Sequence, residues 1–214
     1  MTSIEGERSG RAEREYAPAA GAQPYYAEAA EALAEQYESV TFEDVHGEVR
    51  HLLPHAPARV ADIGSGTGRD AAALARRGYD VVAVEPVAEL RRVAQRLHAE
   101  EPIAWLEDSL PGLARLSGPF DLILLSAVWM HMDQRERGDA MPRLCELLAP
   151  GGRLVVSLRH GPPPEGRRMF DVPADETTAL AERHGLRTVY VGHGPDHLGR
   201  GDVHWTELVL ERPA

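Results

Sequence analysis

Apolar residues occur along this chain in short blocks separated by stretches of helical periodicity. The apolar blocks predict β-strands at residues 60–63, 80–84, 103–106, 120–126 and 153–158. Apolar residues three or four positions apart predict helices at residues 70–77, 88–99, 135–148 and 174–184. Strands that alternate with helices form right-handed βαβ units, so the pattern predicts an α/β fold with a mostly parallel sheet covered by helices on both faces.

The end of the chain departs from this alternation. Two further strands are predicted at residues 187–191 and 204–210, with no helix between them. Consecutive strands joined without a helix pair as a hairpin, so the last strand is expected to run antiparallel to its neighbour. The whole pattern therefore predicts seven strands.

The segment before the first strand has two parts. Residues 1–23 are rich in Glu, Arg, Gly and Ala and poor in large apolar side chains, which predicts a flexible tail, with a helix over 5–16 as the alternative. Residues 24–57 show helical spacing up to Tyr37 and again at 42–53, where Pro54 and Pro57 end the pattern. We therefore expect helices at 24–57 in front of a main domain at 58–214.

A glycine-rich turn joins the first predicted strand to its helix. Gly64, Gly66 and Gly68 alternate with other residues, and a strand, such a turn and a helix N-terminus together form a cradle for a nucleotide. A dinucleotide fingerprint needs its third glycine three residues after the second, where this chain has Arg69. The spacing therefore weakens the interpretation as a dinucleotide site.

The form Asp62-x-Gly64-x-Gly66-x-Gly68 resembles the first motif of the class I S-adenosylmethionine (SAM)-dependent methyltransferases, and the resemblance extends from about residue 60 to the C-terminus. It implies a Rossmann-like sheet of seven strands with an antiparallel last strand. It also implies that the helices at 24–57 close over the cofactor as a lid. SAM would be the cofactor and S-adenosylhomocysteine (SAH) its product.

Acidic residues follow two of the predicted strands. Glu85 ends the second strand before Pro86, where a carboxylate can accept hydrogen bonds from both hydroxyls of a ribose. The resemblance implies that Asp108 accepts from the adenine amino group, with Glu107 as the alternative. The predicted cofactor-binding residues are Asp62, Gly64, Ser65, Gly66, Gly68, Arg69, Asp70, Glu85, Pro86, Asp108, Ser109, Ser126, Tyr26 and Tyr37.

The segment after the fourth predicted strand carries two candidates for chemistry. The ring of Trp129 could lie against a sulfonium, and His131 could remove a proton from a hydroxyl or amine near neutral pH. A structural role for His131 is the alternative. His160, after the fifth strand, completes the predicted catalytic set of His131, Trp129 and His160.

Two loops are basic although the chain carries a formal net charge of −11. One follows the fifth strand and includes three consecutive prolines, and the other lies between the last two strands. Guanidinium groups on the ligand side of the sheet suit a carboxylate or phosphate on the methyl acceptor. The predicted acceptor-binding residues are Arg159, Arg168, His197 and Arg200. The spacing of His193, His197 and His204 lacks a compact ligand pattern, so no metal is expected.

Composition limits the partners and the compartment. The acidic net charge argues against nucleic acid as a partner, and no apolar run is long enough for a membrane span. A single cysteine, Cys145, excludes an internal disulfide and favours a reducing cytoplasm. We therefore expect a cytoplasmic monomer or homodimer that transfers a methyl group to an oxygen or nitrogen of a small, anionic molecule. The alternatives are an NAD-dependent oxidoreductase and a non-catalytic SAM-binding regulatory protein.

Overall fold

A seven-stranded sheet forms the centre of the computed structural model, which describes residues 23–214. The strands are β1 (Arg59–Ile63), β2 (Asp80–Val84), β3 (Ile103–Leu106), β4 (Phe120–Leu125), β5 (Leu148–His160), β6 (Arg187–Pro195) and β7 (His204–Glu211). Their order across the sheet is β3-β2-β1-β4-β5-β7-β6. The first five strands pair in parallel, and β7 runs antiparallel to both β5 and β6. The predicted fold class is confirmed.

Helices cover both faces of this sheet. They are α1 (Gln23–Glu28), α2 (Ala30–Glu38), α3 (Phe42–His46), α4 (Arg69–Arg76), α5 (Ala88–Leu97), α6 (Gln134–Leu147) and α7 (Ala174–Arg183), with short 3-10 helices at Gly47–Leu52 and Trp129–His131. Residues of α6 and α7 pack in one apolar cluster, and residues of α3 and α4 pack in the other. The strands between them are near-continuous apolar runs because both of their faces are buried.

The N-terminal helices are anchored on α5. Ala30 and Ala34 of α2 pack with Val87, Leu90 and Val93 in a third apolar cluster, and Tyr26 of α1 packs against it. This contact places α1 and α2 beside the carboxyl ends of β1 and β2. The expected flexible tail and the alternative helix at 5–16 lie outside the described residues, apart from Gln23, which begins α1.

Several element bounds differ from the predicted ones. The single helix expected before Tyr37 is interrupted at Ala29, and the helix expected at 42–53 divides into α3 and a 3-10 helix. β5 begins at Leu148, five residues before the predicted start, and β6 ends at Pro195, four residues after the predicted end. Both extensions include glycines. Pairing with β7 explains the longer β6, because the register continues from Gly192 and Glu207 to Pro195 and His204. Within the described part of the chain, no helix is long and apolar enough to cross a membrane.

Candidate functional site

Two adjoining cavities open at the carboxyl ends of the central strands. The glycine-loop cavity, of about 230 Å³, lies between the glycine turn, Glu85 and the end of β4. The arginine cavity, of about 380 Å³, lies between α3, β5 and the loop that joins β6 to β7. Both are lined by Tyr26, Tyr37, Arg69, Ser126, Ala127 and His131. These shared residues form the boundary at which two ligands could meet.

The glycine turn is held by the neighbouring strand. The amides of Gly64 and Ser65 both donate to the carbonyl of Val84, and the amide of Gly66 donates to Oε2 of Glu85 at 2.9 Å. Gly66 has φ +56°, and a Cβ there would have only the Tyr37 ring within 4 Å, at 3.9 Å. The backbone therefore borders the glycine-loop cavity at Gly66, and no side chain occupies the space beside it.

Gly68 serves packing rather than the cavity. It does not line the glycine-loop cavity, and with φ +83° a Cβ there would lie 2.5 Å from the Trp105 ring. The structure therefore places Gly68, one of the predicted cofactor-binding residues, against Trp105 and His98, whereas Arg69 and Asp70 after it line the cavity.

We expect Gly68→Ala to lower the free energy of unfolding by about 1–2 kcal/mol, because an L-residue is strained at this left-handed φ. Urea unfolding measures the effect. Gly138→Ala, within α6 and with open space around its Cβ, is the matched control and should raise stability by about 0.5–1 kcal/mol. Equal stabilities for Gly68→Ala and the parent would contradict the assignment.

Two polar atoms of the glycine-loop cavity have no partner. Oδ2 of Asp62 and Oγ of Ser65 are buried and make no hydrogen bond to any described residue, although both residues line the cavity. Burial and the nearby Asp70 raise the pKa of Asp62 to about 8. Because an unpaired buried polar atom is costly, these atoms mark where a polar ligand would bind.

Glu85 also lines this cavity and is 4% exposed. Each of its oxygens accepts one backbone hydrogen bond, from Gly66 to Oε2 and from Val87 to Oε1 at 2.8 Å. Burial raises the pKa of Glu85 to about 7. A carboxylate oxygen can accept a second hydrogen bond, so Glu85 remains able to receive two ligand hydroxyls.

A group of charged side chains lies beside the boundary between the two cavities. Its central residue is His46, which the sequence analysis does not predict as a site residue. His46 of α3 is 1% exposed, with Nδ1 at 2.5 Å from Oε1 of Glu207 and Nε2 at 3.3 Å from Oδ2 of Asp70. Burial lowers its pKa, but Asp70 and Glu207 raise it more strongly, to about 9. The imidazolium therefore donates from both nitrogens, and Nε2 also lies 3.2 Å from Oγ of Ser126.

Arg69 completes this ion group. Its guanidinium donates to both oxygens of Asp70, from Nε and from Nη2, each at 2.8 Å. Arg69 and His46 hold the pKa of Asp70 below its ordinary range despite burial. No sequence signal distinguishes His46 from the exposed His51, because the partners of His46, Asp70 and Glu207, are distant from it along the chain.

His131 is hydrogen-bonded on both sides. Nδ1 lies 2.9 Å from the carbonyl oxygen of Arg168, which can only accept, so Nδ1 carries the proton. Burial lowers the pKa of His131, so the ring is neutral and Nε2 accepts from the Tyr26 hydroxyl at 3.0 Å. Tyr26 and His131 thus form a hydrogen-bonded pair at the boundary of the two cavities.

Two predicted catalytic residues lie elsewhere. Trp129 is fully buried in the apolar core, and its Nε1 donates to Oγ1 of Thr177 at 3.1 Å. His160 stacks on His204 and bonds to Asp171 and Thr206. Because β5 continues through His160, successive side chains point to opposite faces of the sheet, and only Arg159 lines the arginine cavity. Both predictions are corrected.

Asp108 and Arg168 lie outside the lining of both cavities. Asp108 accepts from the backbone amides of Ser109, Arg115 and Leu116, which holds its carboxylate within the loop after β3. Arg168 pairs with Asp133 and Glu136 outside the arginine cavity, whereas its neighbour Arg167 lines it.

The remaining predicted residues lie at the two cavities. The glycine-loop cavity is lined by Asp62, Gly64, Ser65, Gly66, Arg69, Asp70, Glu85, Pro86, Ser109, Ser126, Tyr26 and Tyr37. The arginine cavity is lined by Arg159, His197 and Arg200. Among residues 23–214, no group of three or more His, Cys, Asp or Glu side chains is arranged to hold a metal ion.

Comparison with known proteins identifies the central part of the chain. Residues 60–152 match the family model of the methyltransferase domain. An uncharacterized methyltransferase of Mycobacterium bovis is 36% identical over 103 residues, which cover 48% of this chain and 40% of that protein. The chain thus spans less than half the length of this relative.

Solved structures share the fold at low identity. The 1,6-didemethyltoxoflavin-N1-methyltransferase of Burkholderia thailandensis, solved with 1,6-didemethyltoxoflavin and SAH, has a TM-score of 0.61 at 22% identity, covering 87% of this chain and 90% of its own. The (4+2)-cyclase SpnF has a TM-score of 0.68 at 13% identity, covering 90% of this chain and 95% of its own. The fold is therefore shared by enzymes of different activity.

Proposed function

We propose that this chain is a class I SAM-dependent methyltransferase and transfers a methyl group from SAM to an oxygen or nitrogen of a small, anionic molecule, as the match of residues 60–152 to the methyltransferase domain supports. The observation that carries the proposal is the pair of adjoining cavities with Tyr26, Tyr37, Ser126 and His131 at their boundary. One cavity has the groups that a nucleoside needs, and the other leaves room for a second small molecule beside it.

The residues of the glycine-loop cavity fit SAM. The unpartnered Oδ2 of Asp62 and Oγ of Ser65 supply polar contacts, and Glu85 supplies two oxygens for ribose hydroxyls. The open side of Gly66 leaves space that a side chain would fill. When bound, SAM supplies an electrophilic methyl group on a sulfonium centre.

The chain's own residues orient the reactants and take up a proton. Tyr26 and Tyr37 lie at the boundary and limit the access of water, which favours displacement of the methyl group by the aligned acceptor rather than by solvent. A hydroxyl or neutral amine attacks through its lone pair and loses one proton in the course of the transfer. Nε2 of His131 is the available base, and since the Tyr26 hydroxyl occupies it, the proton would reach His131 through that hydroxyl.

Calorimetry with SAM, SAH and NADH tests the proposal. We expect SAM and SAH to bind and NADH to leave the heat signal at background. Binding of NADH without SAH would instead support the NAD-dependent oxidoreductase.

An assay of SAH release then tests transfer. The probes are small organic acids that carry a hydroxyl or amino group, with the matching amides as controls. If the protein binds SAH but forms no SAH from SAM with any of the acids, the result would contradict methyl transfer and support a non-catalytic SAM-binding protein.

A further inference from the structure

Two guanidinium groups of the arginine cavity have no carboxylate partner. Arg159 is 6% exposed, and its terminal nitrogens donate to the carbonyl oxygens of Gly161 and Pro162 at 3.1 and 3.0 Å. Arg167 donates to the Tyr25 hydroxyl at 3.1 Å and lies over the rings of Tyr25 and Tyr26. In both residues Nε is buried without a hydrogen-bond partner among the residues that the structure describes.

The other two arginines of this cavity are neutralised. Arg200 pairs with Asp196 at 2.5 Å, and Arg69 pairs with Asp70. Within the described chain, Asp196 also accepts from Nε1 of Trp205, so its carboxylate is committed on both oxygens. Asp196 is therefore held by other partners and forms no ion pair with Arg159.

The acidic side chains of the cavity do not cancel this charge either. Glu207 is bound to His46, and Glu43 is bound to Arg77. Asp44 and Glu48 are exposed, and Asp44 caps α3 through Thr41. Burial and the charges of Arg200 and Arg167 lower the pKa of Arg159, whereas Asp196 and Asp202 raise it. Arg159 is buried and Arg167 is half-buried, and within the described chain neither forms an ion pair with a carboxylate. Cations that are partly removed from water in this way are stabilised by an anion, so this part of the cavity suits one.

Part of the wall of the arginine cavity consists of apolar and aromatic side chains. Met130 and Met169 line it together with Tyr190, Trp205, Val45 and Leu198. Thioether and aromatic side chains make favourable contacts with a flat ring, and the volume of about 380 Å³ suits a single small molecule. A short polar acid such as acetate would leave this surface uncovered.

We infer that the arginine cavity binds an aromatic carboxylic acid, with the carboxylate at Arg159 and Arg167 and the ring against the methionine and aromatic wall. This inference names the substrate class of the proposed function and rests on it in one respect, that the arginine cavity is the acceptor site. A carboxylate placed there would give a charged acceptor to two guanidinium groups that otherwise donate to neutral oxygens.

Calorimetry on the full chain saturated with SAH tests the inference, with benzoate as the probe. We expect benzoate to bind at least tenfold more tightly than benzamide, its neutral isostere, and than acetate, which lacks the ring. Arg159→Met should weaken benzoate about 10- to 100-fold, as expected for lost hydrogen bonds between charged groups, and leave SAH affinity within twofold.

Two further variants complete the test. Arg167→Met should also weaken benzoate, which keeps the inference testable if Arg159→Met fails to fold. Arg168→Met is the matched control on the same loop, because its side chain binds Asp133 and Glu136 instead, and it should bind benzoate as the parent does.

The outcomes separate this inference from the proposed function. SAH binding with equal affinities for benzoate and benzamide would overturn the anion site alone, and equal affinities for benzoate and acetate would overturn the aromatic body alone. Failure of SAH to bind would contradict the proposed function itself. If Arg168→Met weakened benzoate as much as Arg167→Met does, the loss would be a general effect on their loop and would overturn the assignment to Arg167. Unchanged benzoate affinity in a folded Arg159→Met would overturn the assignment to Arg159.

Discussion

Replacing His46 with alanine is expected to lower the free energy of unfolding by about 3–5 kcal/mol, the cost of removing one partner from a buried ion group. The imidazolium is the common partner of Asp70 and Glu207, and Asp62 lies close enough for Asp70 to raise its pKa. Without His46, these acidic groups lose a buried positive charge. Urea unfolding at pH 6 measures the loss.

Two comparisons isolate the charge. His51→Ala, an exposed histidine on the following 3-10 helix, should change stability by less than about 0.5 kcal/mol. His46→Gln keeps hydrogen-bonding capacity and removes the charge, so it should lose most of the same stability. A loss below about 1 kcal/mol for His46→Ala would show that the ion group does not stabilise the fold.

The contribution of His46 should also depend on pH. Its folded pKa of about 9 lies above the ordinary value of 6.5. The stabilisation is therefore complete below pH 6.5 and is lost as the pH rises towards 9. The difference in stability between the parent and His46→Ala should shrink over this interval, and a difference that stays constant would contradict a charged His46.

The sheet could be predicted from the sequence because its signals are local. The bounds of β2 and β3 agree with the predicted ones, since each is a short apolar run ended by polar or proline residues. β6 could not be predicted to its end, because Gly192 to Pro195 has the composition of a loop. Only pairing with β7 holds that segment extended.

The candidate site divides in the same way. Asp62, Gly66 and Glu85 lie within one strand–turn–helix–strand unit, so spacing along the chain was enough to place them together. Arg167 and Arg168 are adjacent and chemically identical, and only the packing of their loop against α1 and α6 decides which one lines the cavity. Such choices depend on contacts between distant segments, which sequence periodicity does not encode.

Glu85→Ala should weaken the binding of SAH by about 1.5–3 kcal/mol, or about 10- to 150-fold, because charge-assisted hydrogen bonds to the ribose are lost. The same carboxylate holds the amides of Gly66 and Val87, so the variant also loosens the turn that borders the cavity. Calorimetry at pH 8 measures the affinity, and a thermal melt confirms that the variant is folded. Glu89→Ala, which removes an exposed glutamate of α5 that pairs with Arg92 outside the cavity, is the matched control and should bind SAH as the parent does.

The pH profile separates a ligand contact at Glu85 from a purely structural role. The pKa of about 7 in the free protein means that Glu85 is half protonated near neutrality. Ribose hydroxyls donate to the carboxylate and so favour its charged form, which lowers this pKa on binding. The affinity of the parent for SAH should therefore rise as the pH increases from 6 to 8, and the rise should be clearly smaller in Glu85→Ala, where only other groups such as Asp62 still titrate. An equal rise in both proteins would exclude Glu85 from the ribose contact, because the titrating group would then lie elsewhere in the cavity.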